Sequence, residues 1–233
     1  MRAILLAIIG GVLGASLSFA VAIPCSDPSI QTYADLMNIS SPDAFNLDMD
    51  KGCIIADKHF DLFGFSSSDI LPTNVSIGSV IDNSPSSIGF TFQFDISGNM
   101  GFSLQYLIYT VSGDPLITSA HLSQVGAASG DGQASVSEGV CPDSLSPCNA
   151  FTLNTAQFGQ VNNTSADVTF DATNAIFFNK DVSVSAIDGS ASMTSVTETV
   201  DELGAGVPEP GTMSILGSAL VALGLIGRKR ICR

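Results

Sequence analysis

Alternation of apolar and polar residues is the feature that most narrows the choice of fold. Phe90-Thr91-Phe92-Gln93-Phe94-Asp95-Ile96 places an aromatic or aliphatic side chain at every second position. Successive side chains of a strand point to opposite faces, so this run has one apolar face and one wet face, a pattern that a helix does not produce. Phe102 to Val111 begins in the same way and then turns apolar on both faces, as a strand does on entering a covered region. Ser97 to Gly101 forms a turn between them. Further strand-like runs are Lys58 to Phe65, Val75 to Ile81, Leu116 to Val125, Ala134 to Val140 and Ala150 to Phe158. They continue with Asp167 to Ala172, Ala175 to Phe178, Val182 to Ile187 and Ala191 to Val200. Short breaks rich in Gly, Pro, Asn, Asp and Ser separate them, and no long helix alternates with them. The chain is therefore mainly β, and the spacing predicts an antiparallel β-sandwich, jelly-roll-like, rather than a parallel α/β sheet. One short N-terminal helix precedes the strands: Ile30, Tyr33, Ala34 and Met37 recur at helical spacing, Ser29 is placed to cap, and Ser40-Ser41-Pro42 ends it.

Both chain ends are different in kind, each reading as a hydrophobic helix. Residues 1–22 carry one cation, Arg2, then an apolar run from Ala3 to Leu17, then Ser18-Phe19-Ala20-Val21-Ala22. That is the layout of a secretory signal peptide, with cleavage after Ala22 and Ala20 as the alternative. Cys25 does not make this a lipoprotein, because Ile23-Pro24 stand before it where small residues are needed. Residues 23–200 read as one extracytoplasmic domain and 201–206 as a linker. At the other end, the sixteen uncharged residues from Thr212 to Gly227 make a helix of roughly 24 Å, short but workable as a membrane span. Arg228, Lys229 and Arg230 follow it directly and stay on the cytoplasmic side as a basic stop, which leaves the preceding domain outside. Pro208 and Pro210 keep the stretch around Glu209 extended and accessible to a processing enzyme.

Val207-Pro208-Glu209-Pro210, the short Gly/Ala/Leu-rich helix and the Arg-rich end together resemble the PEP-CTERM sorting tail of exported proteins of Gram-negative bacteria; the match covers residues 207–233. The resemblance implies recognition, and processing, by the membrane peptidase exosortase, and an association with exopolysaccharide. It implies a chain exported by the secretory machinery, anchored in the inner membrane through the C-terminal helix before processing, and then displayed on the cell surface or in the extracellular matrix. Tyr33 to Met37, Gly52 to Phe60 and Ser135 to Glu138 also resemble an arrangement in uncharacterised members of that group, which carries no assigned activity.

Between the two ends only Lys51, Lys58 and Lys180 stand against twenty-one acids, a formal charge of −18. Such a surface repels nucleic acid, which is no partner here, and suits solubility outside the cell, with cation binding as the alternative. Export places Cys25, Cys53, Cys141 and Cys148 where disulfides persist, and loop closure favours the pairs Cys25–Cys53 and Cys141–Cys148. No His sits at ligand spacing to them, so a metal site is not expected. Asn46, Asp48, Asp50 and Asp57 approximate a calcium loop, but Lys51 stands where the sharp turn needs glycine, and an acidic turn is the reading kept. His59 and His121 belong to no metal or nucleophile motif and read as strand residues with satisfied rings. No nucleophile elbow or cofactor motif occurs, and the chain has no Trp and only three Tyr to form a sugar platform. The expectation is a non-enzymatic envelope or matrix protein without catalytic residues, metal or cofactor. The alternatives are a carbohydrate- or cation-binding surface module and, after it, a hydrolase using paired carboxylates.

Overall fold

Thirteen strands, one α-helix and a 3-10 turn at Pro72–Asn74 make up the architecture in a computed structural model that describes residues 22–42, 51–83, 87–110, 116–142, 151–158 and 161–203. The signal region before Ala22, the calcium-like residues Asn46, Asp48 and Asp50, Cys148, residues 204–206 of the linker, and the tail with Val207–Pro210 and Arg228–Arg230 lie outside the described residues. Among the described residues no helix is long and apolar enough to cross a membrane.

The strands are β1 (Ile23–Pro24), β2 (Cys53–Ile55), β3 (Lys58–Ser66), β4 (Ser76–Asp82), β5 (Ile88–Ser97), β6 (Met100–Thr110) and β7 (Ile117–Ser129). They continue as β8 (Gln133–Pro142), β9 (Phe151–Phe158), β10 (Val161–Asn163), β11 (Ser165–Thr173), β12 (Ala175–Ser185) and β13 (Ser190–Glu202). One sheet has the order β1-β2-β3-β6-β12-β8-β9-β10 and the other β11-β7-β13-β5-β4. Among the described strands only β1 and β2 pair in parallel. The chain is a two-sheet β-sandwich: β5 and β6, β7 and β8, β11 and β12, and β12 and β13 are neighbours in sequence but lie in opposite sheets. The turns that carry these crossings interlock at one end. Asp131 accepts hydrogen bonds from the N–H groups of Ile187 (3.1 Å) and Asp188 (2.8 Å), and a Cβ at Gly189 would meet the Ser129 carbonyl oxygen at 2.0 Å, so only glycine lets the two turns touch.

Alternation decides what fills the space between the sheets. Phe90, Phe92, Phe94 and Ile96 of β5 face Phe102, Leu104, Tyr106 and Ile108 of β6, and all are buried. Edge-to-face contacts such as Phe60–Phe90 (5.0 Å between centroids) and Phe94–Phe102 (4.7 Å) run through the core, an arrangement aromatic quadrupoles favour. The helix α1 (Tyr33–Ile39) closes one end, with the Tyr33 ring 5.6 Å from that of Phe92 and its hydroxyl donating to the Gln105 carbonyl at 2.7 Å. Its cap is Thr32 and not Ser29. Thr32 and Asp35 form a reciprocal capping box, whereas the Ser29 hydroxyl is engaged with Asp27 at 2.6 Å. The Cys25–Cys53 disulfide forms as expected and pins β1 to β2 with both sulfurs buried.

Two boundaries differ from the sequence reading. The runs Ala175 to Phe178 and Val182 to Ile187 are one strand, β12, continuous through Asn179-Lys180-Asp181. β13 extends to Glu202, two residues into the stretch read as linker, and the Leu203 N–H donates to the Leu116 carbonyl at 2.7 Å. In both places a charged side chain has a buried partner on another strand, which linear sequence does not display.

Candidate functional site

Lys180 lies inside the sandwich. Phe178 and Val182 face the core, and the period of two carries Lys180 between them to the same face, where it is fully buried. The same logic turns Glu138 inward between Val136 and Val140 on β8, and Glu198 between Val196 and Val200 on β13. Register sets Lys180 directly opposite Glu138 on the adjacent strand, while Glu198 reaches in from the other sheet. The Lys180 ammonium donates to Glu198 Oε2 at 2.9 Å and is in direct contact with Glu138 Oε2. It lies 5.8 Å from the ring centroid of Phe178 and 6.0 Å from that of Tyr106. Burial lowers the basicity of Lys180 and pushes the Glu198 carboxyl up to about 7, although Lys180 itself pulls it down. Both Glu138 oxygens, Glu198 Oε1 and the Tyr106 hydroxyl make no hydrogen bond among the described residues.

Lys58 is the second buried lysine, bonded to Asp57 Oδ1 and Glu202 Oε1, each at 2.6 Å. This pair holds the end of β13 onto β3. Of the three lysines among the described residues two are internal, and Lys51 is the exposed one.

On the outer face of the smaller sheet, His121 joins three strands. Its Nδ1–H donates to Asp167 Oδ1 on β11 at 2.6 Å and its Nε2–H to Asp201 Oδ2 on β13 at 2.7 Å. Ser119 Oγ sits 3.1 Å from both Nε2 and Asp201 Oδ2. Serine, histidine and aspartate thus meet, with the Asp201 carboxylate at 2.7 Å and the Ser119 hydroxyl at 3.1 Å from the same ring nitrogen. Partial burial disfavours the charged ring, yet the hydrogen bonds to Asp167 and Asp201 outweigh it and raise the pKa. Asp201 is lowered: burial opposes this, but His121, the Ser87 N–H and Ser119 prevail. The group ties β7, β11 and β13 together through one imidazole. Its His121 share of stability is complete below the ordinary imidazole value of 6.5 and is lost as pH rises through the raised folded value, because the folded state then releases a proton it held more tightly. The Asp201 share is lost at the acid end, as pH falls through its lowered value. The stability difference between wild type and His121→Gln, followed by urea unfolding, therefore shrinks as pH rises above 6.5. His59, in contrast, is buried with Nε2 against the Lys51 carbonyl, and burial lowers its pKa.

The outer face of the same sheet also carries a cleft of about 440 Å³. Its floor is the segment Gln93-Phe94-Asp95 of β5, and both flanking strands lose register beside it: β4 between Ile77 and Ser79, and β13 between Met193 and Ser195. Two irregularities facing one segment bend the flanking strands away and open the surface. Gly78 stands at the first, where a Cβ would come within 2.5 Å of the Gln93 side chain, so glycine leaves room for that amide. Asn74, Ser76, Thr194 and Ser195 complete the wall. The lining is amide, carboxylate and hydroxyl, since Phe94 turns inward and is only 7% exposed. A smaller cleft of about 250 Å³ lies on the other sheet at Ser66, Ser103 and Gln105, and an apolar depression of about 540 Å³ lies at Ala22, Pro24 and Ile54.

No protein-family model matches this chain, and no curated protein matches it. Among solved structures it is similar to TmCBM61 in complex with β-1,4-galactotriose, with 11% identity and a TM-score of 0.34 over 59% of this chain and 87% of that one. It is similar to CBM86, a low-affinity xylan binding module from Roseburia intestinalis, with 11% identity and a TM-score of 0.24 over 60% of this chain and 96% of the other. The exoplasmic/lumenal domain of VIP36 in its Ca2+/Man2-bound form gives 9% identity and a TM-score of 0.28, covering 78% of this chain and 90% of that domain.

Of the residues singled out in the sequence, Ala22 is buried at the start of the described chain, Cys25 and Cys53 are joined, and Cys141 is disulfide-bonded. Among the described residues no three His, Cys, Asp or Glu side chains are arranged to hold a metal ion. The cluster at Lys180 escaped the sequence reading, although the signal was present. In Val136-x-Glu138-x-Val140, Phe178-x-Lys180-x-Val182 and Val196-x-Glu198-x-Val200, a charge stands in phase with the apolar positions.

Proposed function

We propose that this chain is an exported, non-enzymatic surface protein whose sandwich, wound in a jelly-roll-like manner, binds extracellular polysaccharide in the Gln93–Asp95 cleft. In the same proposal, residues 207–233 act as a sorting tail recognised by exosortase, which anchors the chain in the inner membrane before release to the cell surface or matrix. The observation that carries the binding reading is the cleft itself: two facing register shifts open a groove within the volume range of ligand sites, and its exposed groups both donate and accept hydrogen bonds, as sugar hydroxyls require. An acid-rich exterior directs this chemistry towards neutral glycans rather than anionic ones. The engagement of both His121 ring nitrogens by Asp167 and Asp201 supports the non-enzymatic part. The leader, the Pro-Glu-Pro triplet and the basic end support the sorting part.

One experiment addresses both parts. Cells expressing the wild-type chain and a variant with alanine at Pro208, Glu209 and Pro210 are fractionated, and the recovered protein is titrated calorimetrically against soluble neutral polysaccharides. The expected result is retention of the tail variant in the membrane fraction and glycan binding that falls at least about tenfold, about 1.4 kcal/mol, in Gln93→Ala/Asp95→Ala. Unaltered distribution of the tail variant would count against sorting. Absence of binding to every glycan would leave a purely structural matrix role, the first expectation from the sequence.

A further inference from the structure

We propose that Lys180 and Glu138 become joined by an intramolecular amide bond, an isopeptide link between β12 and β8, with Glu198 moving the protons. The arrangement at Lys180 described above is then the unreacted state of a site of self-modification. The reacting groups are cross-strand partners held in direct contact on adjacent strands of one sheet. Fixing an amine against a carboxyl in this way replaces an encounter in solution by an effective concentration of up to about 10⁵–10⁸ M. Both side chains are fully buried, and the amine lies beside the Tyr106 and Phe178 rings, so water, the leaving molecule of the condensation, is scarce where the bond forms. Glu138 Oε1 has no hydrogen-bond partner among the described residues, and Oε2 meets the reacting amine itself. Glu198 approaches from the opposite sheet, its Oε2 at 2.9 Å from Nζ, close enough to exchange a proton with the attacking nitrogen.

The step balances without an added reagent. The Lys180 ammonium gives up a proton, and the uncharged amine attacks Cδ of the Glu138 carboxyl after that group has gained one. The C–N bond forms, Glu198 accepts the second nitrogen proton, and the same proton passes to the hydroxyl oxygen as its C–O bond breaks. Overall, an ammonium and a carboxylate yield one amide and one water, Glu198 ends as it began, and nothing is oxidised or reduced. Burial prepares these partners, since it weakens the hold of Lys180 on its proton and lets Glu198 carry one near neutral pH. Glu138 and not Glu198 is the acceptor because it stands opposite Lys180 in the register, whereas Glu198 reaches Nζ across the core as a hydrogen-bond acceptor. A link of this kind survives reduction, unlike Cys25–Cys53.

The test is mass spectrometry of the protein recovered from the full-length chain, reduced, denatured and digested with chymotrypsin. The expected result is a branched peptide containing Lys180 and Glu138, lighter than its two parts by one water, with Lys180 unreactive to amine acylation. Glu138→Gln should give the same branched peptide with loss of ammonia instead of water. Lys180→Arg should abolish it, and Glu198→Gln should slow its appearance at least about tenfold while the β-sheet circular dichroism is kept. Recovery of separate, full-mass peptides with an acylatable Lys180 from folded wild-type protein would overturn the proposal. A water loss mapped to any other pair would overturn the assignment, and formation at the wild-type rate in Glu198→Gln would remove Glu198 from the step.

Discussion

Replacing Lys180 by methionine lowers the unfolding free energy by about 3–5 kcal/mol, the usual cost of stranding a buried charge by removing its partner. For a domain of this size that is a fall in melting temperature of roughly 6–20 °C, measured by differential scanning calorimetry. The side-chain volumes are close, so packing loss is not the cause. What remains is Glu138 and Glu198, both buried between the sheets, with no cation beside them. Such acids fold only in the protonated form, so the folded variant binds more protons than its unfolded chain and its stability falls as pH rises. The deficit is therefore smallest in acid and largest above neutrality. Lys180→Met combined with Glu138→Leu and Glu198→Leu is more stable than Lys180→Met alone at neutral pH, because buried charge and not contact area is at issue. If the single variant unfolds within about 1 kcal/mol of wild type, the core placement of Lys180 is wrong.

Cys25→Ala with Cys53→Ala costs about 3–4 kcal/mol, from the chain-entropy relation applied to a separation of 28 residues. The loss is local before it is global. β1 contributes only two residues to the sheet, in a parallel pairing with β2, and the disulfide is what holds the segment leading into α1 against the edge. Hydrogen exchange should show the amides of Cys25, Ile30 and Tyr33, which bond to Ile54, Asp27 and Val75, losing protection well before those of β12 and β13. Addition of a reductant to the wild type should lower the unfolding midpoint by at least as much, since Cys141 is disulfide-bonded as well. Equal protection across the molecule in the double variant would show that the edge is held by packing alone.

These expectations divide by what linear order can show. The alternation in Phe90 to Ile96 and Phe102 to Ile108 shows strands because side-chain direction in a strand follows from covalent geometry. The nearness of Cys25 to Cys53 in sequence made their bridge legible through loop closure. Lys180 was different. A charge between Phe178 and Val182 reads locally as a surface turn, and only the arrival of Glu138 from β8 and Glu198 from β13 makes burial affordable. The same holds for Lys58 and Glu202, and for His121 with Asp167 and Asp201. In each case the compensating group lies tens of residues away on a strand whose neighbours the sequence does not name. The Gln93 cleft is likewise set by irregularities at Gly78 and Thr194 that exist only relative to the partner strand.

By itself, the sequence determined the β character of the chain, the short helix α1, the closure of Cys25 on Cys53 and the unlike character of the two ends. All of these depend on covalent geometry, local periodicity or short loops. The tertiary structure alone decided which strands share a sheet, which charges are interior and where the outer face opens. Pairing register and desolvation are properties of groups brought together from distant positions, and their energies have no local signature in the chain.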